Sequence, residues 1–244
     1  SRRAAQLLPD CPVGCSAGLH RLMKHQALIT GGSRGIGEAI AGLFRDRGIE
    51  VLAPSRAELD LSNHASVERW GAGHSALGID ILVNNAGINL LNPIETLLDR
   101  DWEQMIQVNL TAPMQLIRAL SPGMKKAGWG RILNISSVFS LVTREKRAAY
   151  SATKSAVNGL TRTVAIELAP SGILVNALGP GYVETELTRK NNSPADLDTI
   201  RNSIPLGRFA ATVEIAKLAW FLASEENTYL TGQTIIVDGG FSCR

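Results

Sequence analysis

The chain has 244 residues, of which 45% are hydrophobic, 19% charged and 5% aromatic, and its formal net charge is +3. That is enough apolar sequence for one large α/β domain, too much for a disordered chain, and nowhere continuous over the roughly 18 apolar residues of a membrane span. The charge excess lies in the first 24 residues, Arg2, Arg3, Arg21 and Lys24 against Asp10; the rest is balanced, so composition offers no basic face to a nucleic acid.

Residues 1–23 read differently from the rest of the chain. Arg2-Arg3 ahead of AAQLL resembles a twin-arginine export signal, but Pro9 and Asp10 break the apolar stretch before it reaches the ~7–15 residues a signal needs. The preferred reading is an N-terminal extension before a start at Met23-Lys24. Cys11, Cys15 and Cys243 are too few for a disulfide framework. Cys11 and Cys15 are close enough to pair or share a metal, yet no histidine cluster accompanies them, and no metal is expected. The four histidines, 20, 25, 64 and 74, are scattered and expected at the surface.

From residue 24 to 244 the chain reads as a single domain. Strand-like apolar runs at 27–30, 49–53, 79–85, 130–136, 173–178 and 234–239 alternate with helical stretches at 36–47, 64–76, 99–119, 150–169 and 212–223. Several runs are apolar on both faces, as strands of a parallel sheet covered by helices on both sides must be. The alternation predicts an α/β, doubly wound sheet. One connection is short: LDLSN at 59–63 follows the second strand too closely for a crossover helix. A helix is therefore expected to be missing between the second and third strands.

The first strand runs into Gly31-Gly32-Ser33-Arg34-Gly35-Ile36-Gly37 and then a helix. Glycines there allow positive φ and close backbone approach, and a helix N-terminus attracts a pyrophosphate; alone, the same run is also a plain tight turn. The end of the second strand adds weight. Where an acidic residue would hold a ribose 2′-hydroxyl, the chain has Ser55-Arg56. A guanidinium binds a 2′-phosphate where a carboxylate would repel it, and Arg34 supplies a second cation. Together they favour NADP(H) over NAD(H), against the alternative of two solvated arginines.

Tyr150 and Lys154 stand at i and i+4 on one helix face. A phenol with an ordinary pKa near 10 needs a neighbouring positive charge to act at neutral pH. Ser137 ends the fourth strand-like run, where its hydroxyl is placed to polarise a carbonyl. With TGGSRGIG at 30–37, Asp60-Leu61, NNAG at 84–87, Asn109, Ser137, YSATK at 150–154, NALGPG at 176–181, Val183-Glu184-Thr185 and TGQTIIVDGG at 231–240, the chain from about 24 to 244 resembles the classical short-chain dehydrogenase/reductase family.

That resemblance implies a Rossmann-like, seven-stranded parallel sheet and hydride transfer between a nicotinamide and a carbonyl or secondary alcohol. It implies that Tyr150 exchanges the proton, that Lys154 holds the nicotinamide ribose and lowers the tyrosine pKa, and that Ser137 hydrogen-bonds the substrate oxygen. Asn109 is implied to interrupt its helix and order a water beside Lys154; before Pro113 it is also readable as a plain helix breaker. For the cofactor the resemblance implies Gly31, Ser33, Arg34, Gly35, Ile36, Gly37, Ser55, Arg56, Asp60, Leu61, Asn85, Ala86, Gly87, Tyr150, Lys154, Pro180, Gly181, Val183 and Thr185.

Within the family, IPLGR at 204–208 and the VDGG ending resemble the 3-oxoacyl-[acyl-carrier-protein] reductases. Gly128 and Ser171 stand where those enzymes place carrier-docking arginines, and the run Thr143-Arg144-Glu145-Lys146-Arg147 is highly charged for the lip of an acyl pocket. Arg144, Lys146, Arg147, Arg189 and Lys190 gathered at the mouth would suit a sugar, polyol or nucleotide-sugar substrate; the plain alternative is a solvated charged loop. Residues 184–205 are expected to form a lid. A non-catalytic NADP-binding sensor is the third reading, opposed by the intact Ser137, Tyr150 and Lys154. A cytoplasmic homotetramer, or a dimer, acting on a small molecule without nucleic acid or membrane, completes the expectation.

Overall fold

The computed structural model describes residues 25–243. The readings made on residues 1–23, with Cys11 and Cys15, lie outside them.

Six apolar runs become strands: β1 (Gln26–Ile29), β2 (Glu50–Leu52), β3 (Ile81–Asn84), β4 (Gly130–Ile135), β5 (Ile173–Pro180) and β6 (Thr234–Val237). All pairings are parallel, in the order β2-β1-β3-β4-β5-β6. Parallel neighbours cannot be joined by a tight turn, so helices cross the faces between them. On one face lie α1 (Gly35–Asp46) and α8 (Thr212–Ala223); on the other lie α2 (His64–His74), α4 (Ala112–Ala127) and α5 (Ala148–Leu168).

The two faces are filled by alternation. Successive strand side chains point to opposite sides, so Leu28, Leu82, Ile132 and Val175 pack beneath α2, α4 and α5. Ala27, Ile29, Ile81, Val83, Leu133 and Ile135 pack beneath α1 and α8. All of these are at most 6% exposed, and each large aliphatic buried this way stabilises the fold by roughly 1.5–3 kcal/mol. A third cluster, Val138, Phe139, Tyr182, Ile200, Ile204 and Phe209, packs where α7 (Pro194–Ser203) closes over the C-terminal end of the sheet.

One expectation about the edge of the sheet is corrected and one is met. Six strands form among the described residues instead of seven, because LDLSN stays in turns. Asp60 Oδ1 accepts from the Ser62 amide (3.0 Å) and hydroxyl (2.6 Å), and Asn63 caps α2 by accepting from the Ser66 amide (3.1 Å). These short polar side chains satisfy the backbone locally and remove the groups a further edge strand would need. Residues 53–63 indeed hold no helix, but they do not lead into a strand either. The helix expected to be missing between the second strand and LDLSN is missing, and the crossover to β3 is made by α2, in the helical stretch expected from residue 64.

The single helix expected over 99–119 is in fact α3 (Asp99–Ile106), a π turn (Gln107–Thr111) and α4. His25, expected at the surface, is only 9% exposed. It stacks on Trp129 (4.1 Å between ring centres), meets Asp80 through Nδ1 (2.7 Å) and Glu225 through Nε2 (3.1 Å), and so clamps the N-terminal ends of the strands. No helix among the described residues is long and apolar enough to cross a membrane.

Candidate active site

The chain leaves β1 towards one sheet edge and returns as β3 on the other side of β1. At such a reversal the loops beyond the strand ends diverge and leave a crevice. A cavity of about 800 Å³ opens there, walled by the segments after β1, β3, β4 and β5 and by the 184–192 segment.

The glycine loop forms the first wall. Gly35 opens α1 at φ +58°, a left-handed conformation that disfavours side chains. Gly37 has no room for one: a Cβ there would run into the Gly31 carbonyl oxygen and the Asn85 amide nitrogen. The loop is clipped to the end of β3, where Thr30 Oγ1 accepts from the amides of Asn85 (3.0 Å) and Ala86 (3.1 Å) and Asn85 Nδ2 donates to the Thr30 carbonyl (2.9 Å). No side chain caps α1, so its leading amides and dipole face the cavity with no side-chain acceptor. Gly31, Arg34, Gly35, Ile36 and Gly37 line the cavity with Asn85, Ala86 and Gly87; Ser33 lies in the loop but not in the lining.

Opposite stands the group carried by β4 and α5. Ser137, Tyr150 and Lys154 all line the cavity. Burial pushes the Tyr150 phenol above its usual range, while the Ser137 hydrogen bond and the nearby Arg147 charge draw it back. Ser137 Oγ also accepts from the Phe139 amide (3.2 Å), which fixes its orientation. Lys154 is 4% exposed, and burial lowers its ammonium to about 8. Its Nζ donates to the Ile135 carbonyl (2.7 Å) and stands 5.7 Å from the Tyr150 ring centre. Ser137 and Arg147 both favour the phenolate against its burial.

Asn109 does not line the cavity; it lies just behind. It is 1% exposed in the π turn. Its Oδ1 accepts from the Ile88 amide, and its Nδ2 donates to the Ile88 carbonyl (both 2.9 Å) and to Thr153 Oγ1 (3.2 Å). A π turn widens the helix by one residue and re-aims the side chain. Here that joins the segment after β3 to α5, so the described role of the Asn109 side chain is to hold the two walls together.

Pro180, Gly181, Val183 and Thr185 bring β5's end into the lining, and of the segment expected as a lid over 184–205, α6 (Glu186–Lys190) and Asn191-Asn192 reach the cavity while α7 does not line it. Ser55, Arg56, Asp60 and Leu61 lie outside the lining, in the turns after β2. Arg56 is exposed and rests on Asp60 (3.4 Å) and Ser62 (3.2 Å). Arg34 is exposed and pairs with Glu186 (3.3 Å). Glu186 is a cavity residue that no spacing in the sequence indicated. Phe139, Tyr182 and Asn89, also in the lining, read from sequence only as apolar or loop positions.

A family model described as enoyl-(acyl carrier protein) reductase matches residues 53–242. The 3-oxoacyl-[acyl-carrier-protein] reductase FabG of Vibrio cholerae is 37% identical over 237 residues, 88% of this chain and 96% of that protein. A gluconate 5-dehydrogenase from Burkholderia cenocepacia, solved with NADP and tartrate, superposes with a TM-score of 0.80 at 34% identity, covering 90% and 96% of the two chains. A 4-hydroxyisoleucine dehydrogenase complexed with NADH gives 0.85 at 29% identity, covering 90% and 99%. With a family model spanning most of its length and such a relative over nearly all of it, this chain belongs to the short-chain dehydrogenase/reductase family of oxidoreductases.

Proposed function

We propose that the protein is an NADP(H)-dependent reductase that converts a ketone to a secondary alcohol. The observation that carries this reading is the convergence of Ser137, Tyr150 and Lys154 on the same cavity as an uncapped, glycine-opened helix N-terminus. That convergence also speaks against a non-catalytic sensor. The glycine loop fits a pyrophosphate, and a bound dinucleotide would supply the hydride.

The chain's own groups do the rest. Tyr150, with its pKa raised by burial, keeps its proton at neutral pH and can give it to a carbonyl oxygen, which suits reduction. The Ser137 hydroxyl donates to the same oxygen and stabilises its developing charge. Lys154, held on the Ile135 carbonyl, keeps a positive charge beneath the ribose position. Arg34 and Arg56 serve the 2′-phosphate, with Ser55 beside them. Their partners Glu186 and Asp60 form exposed ion pairs of about 0–1 kcal/mol, weak enough for a phosphate dianion to displace. Ser33, Asp60, Leu61, Val183 and Thr185 complete the proposed cofactor set.

Likeness to the Vibrio enzyme favours a 3-oxoacyl-type carbonyl. A second reading, a sugar, polyol or nucleotide-sugar substrate, is favoured by the polar lining that Asn89, Asn92, Asp101, Asn191 and Asn192 give the cavity, and by the gluconate 5-dehydrogenase likeness. The protein is proposed to work in the cytoplasm as a homotetramer or dimer on a small molecule.

Titration with NADPH and NADH, for the parent and for Arg56→Ala, tests the cofactor. NADPH is expected to bind far tighter, with the gap shrinking in the variant; equal affinities would overturn the phosphate site. Reduction of an acetoacetyl thioester and of an open-chain keto sugar then tests the chemistry. Tyr150→Phe is expected to slow whichever is turned over by ~10²-fold or more.

A further inference from the structure

Two arginines of this protein are equally buried, each 5% exposed, and their surroundings differ completely. Arg131 is saturated by backbone carbonyls, those of Gly130 (2.8 Å), Asn227 (2.9 Å), Ser224 (3.2 Å) and Gly172 (3.4 Å). Arg147 lines the cavity, and its Nε has no hydrogen-bond partner at all. No carboxylate among the described residues forms an ion pair with it. Its neighbours are the Phe139 ring, 4.8 Å from Cζ, the phenols of Tyr182 and Tyr150, and the Arg144 guanidinium, which itself donates to Tyr182 Oη (3.2 Å).

A buried guanidinium without an anion is costly, and burial accordingly disfavours its charged form. The backbone works to keep it there. Lys146, immediately before it, has φ +65°, the one left-handed residue other than glycine among those described, and its carbonyl is held by the Asn92 amide (3.2 Å). Strain of this kind persists where surrounding contacts impose it and clusters at ligand sites. The same cavity holds a buried acceptor without a donor, Asn89 Oδ1. An acyl chain would leave the Arg147 guanidinium without a counter-ion in this cavity; an anionic substrate supplies one.

We propose that Arg147 selects the substrate by binding the carboxylate or phosphate end of a short hydroxylated molecule whose reacting carbon lies at Tyr150. The two residues are three apart at the start of α5, about 5 Å along the helix axis, so one compact molecule reaches both. The planar fork of a guanidinium pairs bidentately with either oxyanion. The proposal rests on the reading of this cavity as the site of hydride transfer.

Binding without turnover tests it. The full chain saturated with NADP is titrated by calorimetry with tartrate, glycerol 3-phosphate and the neutral threitol; saturation keeps the anions off the cofactor's phosphate sites. At least one anion is expected to bind about tenfold or more tighter than threitol, and the tighter of the two identifies the oxyanion. Arg147→Gln should remove that advantage and leave threitol unchanged, while Arg147→Lys, which keeps the charge, should retain part of it. Arg147→Met, which keeps the stem on Phe139, replaces Arg147→Gln if the latter does not fold. Equal binding of the three probes, no binding of either anion, or anion affinity that survives the loss of the guanidinium would overturn the proposal. Failure of the parent to bind NADP in the same calorimeter would instead overturn the underlying reading of the cavity.

Discussion

Lys154 carries its charge where little water reaches it, and this has a consequence for stability. Its ordinary pKa is 10.5 and burial lowers it to about 8 in the folded state. The fold therefore disfavours the ammonium below pH 8 and is relieved of that penalty as pH rises from 8 to 10.5. At about 1.4 kcal/mol per unit the penalty is of order 3 kcal/mol. We expect Lys154→Met to be more stable than the parent at pH 7 without cofactor, with the difference narrowing by pH 10, as read from urea midpoints. A variant less stable at pH 7 would mean that the hydrogen bond to the Ile135 carbonyl outweighs burial. A lysine buried at the cavity at a cost to the fold is what competition between the proposed function and stability would leave.

The strands are held at both ends, by different chemistry. At their C-terminal ends the glycine loop is clipped to β3 through Thr30 and Asn85. At their N-terminal ends His25 joins the entry of β1 to Asp80 before β3 and Glu225 after α8, stacked on Trp129, whose ring also lies 4.4 Å from the Arg131 Cζ. The Asp80 hydrogen bond chiefly raises the His25 pKa above 6.5. A raised folded pKa means that the clamp contributes fully below pH 6.5 and is lost as pH climbs through the folded value. The thermal midpoint of the parent should fall as pH rises from 6.5 through the raised folded value of His25, and His25→Gln should flatten that fall. Parallel profiles for the two proteins would show that the clamp is not the titrating element.

At the scale of the whole molecule, one end of the sheet is sealed by polar clamps and the other is open, and the cavity lies at the open, C-terminal end. The outer face of α5 is unusual for a surface: Ile166 is 77% exposed, and Ala152 is exposed on the same helix. Scattered apolar residues are ordinary on a monomer; in the proposed assembly we place this face of the helix between subunits. Ile166→Asp is expected to shift the mass measured by light scattering to a smaller species without lowering cofactor affinity. An unchanged mass would place any interface elsewhere.

Local patterns decided much of this in advance. The alternation of apolar runs predicted the doubly wound sheet, because burial on both faces is written into each strand. The glycine loop and the Tyr150–Lys154 spacing were legible because a few consecutive residues, or one helical turn, define them. Long-range contact decided the rest. LDLSN has the apolar content of a strand, yet Asp60, Ser62 and Asn63 bond locally at a sheet edge where no neighbour competes. His25 has no signature in the sequence, since Asp80 and Glu225 reach it from distant positions. In the run Arg144-Glu145-Lys146-Arg147 the residues look alike, and only packing separates them: Lys146 is exposed, Arg144 leans on Tyr182, and Arg147 turns inward against Phe139. The sequence by itself determined the layers and the glycine loop, because periodicity and spacing are properties of neighbours along the chain. The tertiary structure alone decided which of several basic side chains is buried without a carboxylate, because that depends on residues the chain brings together from far apart.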